Sequence, residues 1–256
     1  MPGDPANDDD LVTTIRIDGG KANAMSSDLL DTIERAFDDF ERGAARAAVV
    51  TGYQRFFSAG LALPELVDLD RPRMRGFIEH FARAMLRVFA CEKPVVAAIN
   101  GHAIAGGCVL GLMCDWRVVV DDPAVRIGLN ETQLGIGLPA VVIEPLRAQV
   151  APASLVPIAL EGALFAPVEA LAHGLVHVVV PAAELASHSA AKARSLGALP
   201  ARATAQVKRA LRRPVIEAIE RTADTETERW LDSWFDPAAQ PRLRAAVAKL
   251  TERHRT

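Results

Sequence analysis

The chain has 256 residues, half of them hydrophobic, with a formal net charge of -3 and a pI near 6.1. That length and apolar content suffice for a sizeable core, and the charge balance argues against a nucleic-acid coat or a protein held on an anionic membrane surface. Cys91, Cys108 and Cys114 are odd in number and form no C-x-x-C pair, which indicates neither a disulfide framework nor a zinc site and fits a reducing, cytoplasmic setting.

Residues 1–10 are acidic and carry Pro and Gly, without the basic and apolar regions of a signal peptide or the Arg-rich pattern of a transit peptide. A short disordered tail is expected there. Residues 11–18 alternate apolar and polar, as in a half-buried strand, and end at Gly19-Gly20. A helix is expected from Ser26 or Ser27, with Leu29, Leu30, Ile33, Ala36, Phe37 and Phe40 on one face and Gly43 after its end. Residues 47–51 form a wholly apolar strand that feeds a loop over 52–63, centred on Phe56-Phe57-Ser58-Ala59-Gly60-Leu61.

Next come a helix over 73–90, an apolar strand over 94–99, a glycine-punctuated turn from Asn100 to Gly107, a helix over 106–113 and a strand over 116–120. The run 94–114 is long enough to suggest a membrane span, but Asn100, His102 and its glycines interrupt it, and Asp115 and Arg117 close it. Helices follow at 139–150, 152–161 and 167–173, then a strand over 175–180, then helices at 182–197, 200–211, 214–235 and 237–252. No internal repeat is evident. Strand and helix in this rhythm predict an α/β fold with parallel strands and right-handed crossovers, with ligands at the carboxyl ends of the strands. Two loops leave such ends, after Thr51 and after Ile99, and can converge on one site.

The glycine turn is not a phosphate-binding loop. Gly101 and Gly106 have the spacing, but Gly107 stands where the lysine is required, and the G-x-G-x-x-G dinucleotide fingerprint is absent. Glycines between a buried strand and a helix can instead leave backbone N–H groups facing a ligand, backed by the helix dipole. Gly60-Leu61 and Gly106 then make a pair of oxyanion donors, each commonly worth about 3–4 kcal/mol in a transition state. The same glycines read equally well as two tight turns.

The motifs Phe57-Ser58-Ala59-Gly60-Leu61, Lys93-Pro94-Val95 leading to Asn100-Gly101, Ala105-Gly106-Gly107-Cys108, Cys114-Asp115, and Ile127-Gly128-Leu129-Asn130-Glu131-Thr132-Gln133-Leu134-Gly135 jointly resemble the crotonase (enoyl-CoA hydratase/isomerase) superfamily. The resemblance runs from Leu11 to about Lys249. It implies a crotonase-like ββα spiral core over 11–199 and a C-terminal helical region over 200–256 that builds a homotrimer or a pair of trimers. The implied substrate is an acyl-CoA, with coenzyme A as part of the substrate and no separate cofactor or metal. The N–H groups of Leu61 and Gly106 are implied to bind the thioester oxygen, with Lys21, Ala22, Ala59, Gly60, Ala62, Leu63 and Gly107 around the substrate.

The superfamily's hydratases use two glutamates, because adding water to a 2-enoyl thioester needs one group for the water and one for the α-proton. At the first of these positions this sequence has Val109, which carries no proton, and at the second it has Glu131. One carboxylate suffices for a 1,3-proton shift, and residues 127–136 resemble the mitochondrial-type Δ3,Δ2-enoyl-CoA isomerases within the superfamily. The expected activity is therefore conversion of 3-enoyl-CoA to trans-2-enoyl-CoA. The alternatives are a hydratase-like lyase, an acyl-CoA thioester hydrolase, or a non-catalytic acyl-CoA-binding paralogue. Leu129, Leu134 and Ile136 beside Glu131 are expected to raise its pKa.

Family members usually have Asp where this chain has Ala62, so any bonds that Asp makes must be replaced. His80 and His102 are expected to be structural, Glu65 to be an exposed helix-start acid, and 224–228 to be a solvated face. Trp230 and Trp234, at i and i+4 before Phe235, suggest packing. Lys208 and Arg209 read first as solvated surface and second as contacts to CoA phosphates.

Overall fold

The computed structural model describes residues 11–252, apart from the side chains of Lys21, Thr251 and Glu252. The tail expected over 1–10 lies outside the described residues. A five-stranded, wholly parallel sheet forms the base of the core, with β1 (Val12–Arg16), β2 (Ala47–Thr51), β4 (Val95–Ile99), β6 (Trp116–Val120) and β9 (Val178–Val180) side by side in that order. β4 is buried along its whole length and β2 over all but its last residue, which explains why both read as uninterrupted apolar runs.

A second, smaller sheet is made of strands only two or three residues long: β3 (Phe56–Ser58), β5 (His102–Ile104), β7 (Ile127–Gly128) and β8 (Leu164–Phe165). β3, β5 and β7 are parallel neighbours, and β8 runs antiparallel to β7. The chain thus repeats one unit three times: a long strand in the first sheet, a sharp turn, a short strand in the second sheet, then a helix. The helices are α2 (Leu63–Leu66) with α3 (Arg71–Ala90) in the first unit, α4 (Gly106–Met113) in the second, and α5 (Glu131–Leu134) with α6 (Ala140–Gln149) in the third. No repeat was evident in the sequence because two-residue strands are too short to show a period of two. The loop expected over 52–63 accordingly contains β3.

Local chemistry explains the helix starts. The Ser26 hydroxyl accepts from Leu29 N–H to begin α1 (Ser27–Arg42), and Asp70 accepts from Arg73 N–H to begin α3. α1 turns Leu29, Leu30, Ile33, Phe37 and Phe40 inward, and α8 (Leu185–Gly197) packs on β1, β2, β4 and β6. α7 (Pro167–Ala172) lies beside β8 and β9.

Three expected elements need correction. Residues 152–161 are not one α-helix but a 3-10 turn, Pro152–Ser154, followed by a π-helix, Val156–Leu160. The strand expected over 175–180 pairs only as Val178–Val180. The helices expected at 200–211 and 214–235 are one, α9 (Ala201–Trp234), with Pro214 inside it. Pro214 takes a donor from the Ala210 carbonyl, but Ala210 is exposed, so water can serve that oxygen.

The region after residue 200 is fastened to the core. Lys208 and Arg212, one turn apart on α9, grip Asp115 at the α4–β6 turn at 2.6 and 2.7 Å, and Asp115 also accepts from Val95 N–H at 2.7 Å. Lys208 is therefore neither solvated surface nor a free contact for phosphate. Removing one member of such a buried array costs about 3–5 kcal/mol, since its partners are left charged and unpaired. Trp230 and Trp234 are buried and stacked with their rings 5.3 Å apart, and α10 (Gln240–Glu252) returns against α2 and α5. Within 224–228, Glu228 pairs with Arg71 and Arg75 of α3. No described helix is long and apolar enough to cross a membrane.

Candidate active site

The three ββα units present the same structural position to one place. Gly60 and Leu61 follow β3, Gly106 follows β5, and Glu131 follows β7. Adjacent strands lie about 4.8 Å apart, so parallel pairing of β3, β5 and β7 sets their carboxyl ends, and the residues just beyond, side by side. The turns that carry Gly60, Leu61, Gly106 and Glu131 thus follow the short strands, one step beyond the Thr51 and Ile99 ends expected from sequence.

The first two turns touch backbone to backbone. Gly60 has φ +87°, and a Cβ on it would lie 2.7 Å from Ala105 Cβ and 3.0 Å from Gly106 N. A Cβ on Gly107 would meet the Ser58 carbonyl oxygen at 2.1 Å. Between them, Ala105 takes φ 51° and ψ -122°, a conformation that costs an L-residue of order 1–3 kcal/mol. It is held there by its N–H donating to Gly128 O at 2.8 Å, a bond that also ties the second turn to the third unit.

Counting donors shows what these turns offer. Met25 N–H donates to Gly60 O at 2.7 Å, Ala62 N–H to Met25 O at 3.1 Å, and Ala59 N–H to Ala22 O at 3.0 Å. The Leu61 and Gly106 N–H groups donate to no described residue. Gly106 opens α4, so the positive end of that helix stands behind its N–H. Two adjacent free donors can receive an oxygen that gains negative charge.

Asn23 fixes the strap over residues 21–25. Its side-chain amide donates to Ile17 O, Phe56 O and Phe57 O, its Oδ1 accepts from Gly19 N–H, and its carbonyl accepts from the Ser58 hydroxyl at 2.6 Å. Asn100 does the same for the ends of β2 and β4, accepting from Gly52 N–H at 2.8 Å and donating to Gln54 O. Sequence reasoning assigned neither asparagine this role, although an Asn beside a glycine turn is a usable signal. Ala22 and Ala59 are joined through their main chains, Ala62 is buried at the start of α2, and Leu63 is half-buried as its first residue. Ala62 makes no side-chain cap, and the main-chain bonds to Met25 hold its loop instead. The side chain of Lys21 lies outside the described residues.

Glu131 is the first residue of α5, and its Oε2 is closed off from solvent without a hydrogen-bond partner. Burial pushes its carboxyl up to about 7, opposed only by its own N–H. A carboxyl with that pKa can take and return a proton near neutral pH. Val109, one turn into α4 from Gly106, is fully buried. The thiols are poor nucleophiles, since burial pushes Cys91 up to about 11 and Cys108 and Cys114 up to about 12.

Both histidines of interest are engaged elsewhere. His102 Nδ1 accepts from Arg126 N–H, and His80 Nε2 lies 3.1 and 3.3 Å from Asp31 and Glu34. Asp31, Glu34 and His80 are the one described His/acid cluster of metal-binding size, and Arg83 already holds Glu34 at 2.9 Å. Glu65 is exposed on α2. Two cavities of about 310 and 270 Å³ flank the first half of α9 and touch neither Leu61, Gly106 nor Glu131.

Residues 8–239 match the enoyl-CoA hydratase/isomerase family. The human mitochondrial enoyl-CoA delta isomerase 1 is 28% identical over 243 residues, covering 94% of this chain and 80% of that protein. A probable enoyl-CoA hydratase of Mycobacterium tuberculosis is 30% identical over 196 residues, 75% of this chain and 73% of that one. The crystal structure of human mitochondrial delta3-delta2-enoyl-CoA isomerase superposes with a TM-score of 0.91 at 27% identity, covering 97% of both chains.

Proposed function

The chain belongs to the enoyl-CoA hydratase/isomerase family, and from that premise we propose that it is an enoyl-CoA isomerase that moves the double bond of a 3-enoyl-CoA to position 2. The observation that carries this reading is the pairing of one buried carboxyl, Glu131, with a sealed apolar residue, Val109, where a hydratase needs its second acid.

In the proposed reaction the thioester oxygen sits between the N–H groups of Leu61 and Gly106. Glu131 removes the proton at C2, the C2–H electron pair forms an enolate, and the two donors hold its negative oxygen. The enolate then collapses: a double bond forms between C2 and C3, the bond between C3 and C4 becomes single, and C4 takes the proton back from Glu131. Burial of the carboxyl suits this, because a base near pKa 7 both accepts and surrenders a proton readily. The reaction uses two N–H donors and one carboxyl, with coenzyme A as part of the substrate.

Hydration is the second reading, favoured by relatives that bear hydratase names. It leaves water without a second group to activate it. Incubating the protein with 3-enoyl-CoA and 2-enoyl-CoA in parallel tests the choice. The expected result is equilibration of the two without 3-hydroxyacyl-CoA. First appearance of the hydroxy product, release of free CoA, or binding without turnover would each contradict the isomerase reading.

Two further proposals accompany it. Assembly as a homotrimer or a pair of trimers is supported by Val207 and Leu211, which stay exposed one turn apart on α9. A cytoplasmic location is supported by three buried, unpaired thiols.

A further inference from the structure

No other residue's hydrogen bond aims the Glu131 carboxyl: Oε2 has no partner, and the one main-chain donor that acts on the group is Glu131's own N–H. α5 is a single turn of four residues, too short to hold its own orientation. Its fixing point is Thr132, whose hydroxyl donates to Ala159 O at 2.6 Å. That carbonyl is available because Ala163 N–H, which would close on it in an α-helix, goes instead to Pro157 O at the end of the π-helix. The chain then turns at Gly162, φ +65°, where a Cβ would lie 3.3 Å from Leu129 O, and enters β8 against β7. Gln133 adds a weaker, exposed bond to Glu161 O at 3.2 Å.

We propose that Thr132 is the positioning residue for Glu131, its hydroxyl locking α5 to the π-helix so that the carboxyl faces the oxyanion turns and stays out of water. The proposal rests on Glu131 being the base of the isomerase reading. Around Glu131, Cys108 of α4 is the titratable group that feels its charge, and that thiol stays neutral. Glu161, across from α5, offers its carbonyl while its side chain is exposed.

The test compares Thr132→Val, which keeps the shape and loses the donor, with Thr132→Ser, which keeps the donor. For each, kcat and KM with 3-enoyl-CoA and the pH profile of kcat/KM are measured. Thr132→Val is expected to lower kcat by about 10²-fold with KM little changed, the size of effect that a small misplacement produces. It should also move the apparent pKa down from near 7 as water reaches the carboxyl. Thr132→Ser should restore both. An unchanged kcat and pKa in Thr132→Val overturns the proposal, as does a loss of kcat at unchanged pKa or equal damage from serine. Should Thr132→Val not fold, Thr132→Ala carries the same expectations. Glu131→Gln run in parallel separates the two claims: if it stays active, the base assignment fails, and if it is dead while Thr132→Val is normal, only the positioning role fails.

Discussion

Around Gly60, Leu61 and Gly106 the site is main chain, fixed by glycines that leave no room for a Cβ and by a strained Ala105. On α5 it is one side chain, carried by a four-residue helix and braced from a neighbouring segment. Under the proposed isomerase reading the difference separates two tasks. Holding a thioester oxygen needs donors that cannot move, which packed backbone supplies, whereas proton transfer needs one titrating group whose environment sets its pKa. Such a division predicts that binding outlasts the loss of the base.

Glu131→Gln should break the comparison most sharply. Turnover is expected to fall by about 10²–10⁴-fold, the usual contribution of a positioned acid–base group, while binding of an acyl-CoA measured by calorimetry stays within a few-fold. Equal loss of both would show that the halves are not separable.

The same substitution should stabilise the fold at alkaline pH. With its folded pKa raised to about 7, the native chain keeps a proton that the unfolded chain has already released. Stability therefore falls as pH rises from the ordinary carboxyl range through about 7 and stays lower above it. Denaturant titration at pH 8 should find Glu131→Gln more stable than the parent by up to about 3 kcal/mol. At pH 4, where both states are protonated in the parent, that gain should vanish.

Gly107→Ala probes the backbone half. Its Cβ would fall 2.1 Å from Ser58 O, so a loss of about 1–3 kcal/mol or more is expected, with acyl-CoA affinity reduced because α4 must shift. Val109→Ala gives the smallest effect. It should cost about 1–2 kcal/mol of stability for a buried cavity and leave isomerisation intact; a collapse of activity would give Val109 a part in the chemistry.

How much of this could be read from the sequence follows from strand length and from what each residue touches. β4 is an apolar run of five residues, β2 has four before Thr51, β6 is apolar apart from Arg117, and α4 appears in the structure as expected, over Gly106–Met113. The second sheet was not legible, because strands such as Ile127–Gly128 leave no pattern and owe their existence to pairing with β5 and β8. Yet that sheet aligns the site. Gly106 and Glu131 stood out through glycine spacing and motif, while Asn23 and Thr132 did not, since their partners lie far along the chain. Lys208 was misread for the same reason: its acid, Asp115, is 93 residues away.

The most direct test of a single base follows the proton itself. A 3-enoyl-CoA deuterated at C2 is converted in ordinary water, and the product is examined at C4 by mass spectrometry and NMR. With Glu131 alone shuttling the proton, and its Oε2 shut off from solvent, a substantial share of the label should appear at C4. Absence of label at C4, with solvent hydrogen there in its place, would contradict one enclosed carboxyl doing both steps.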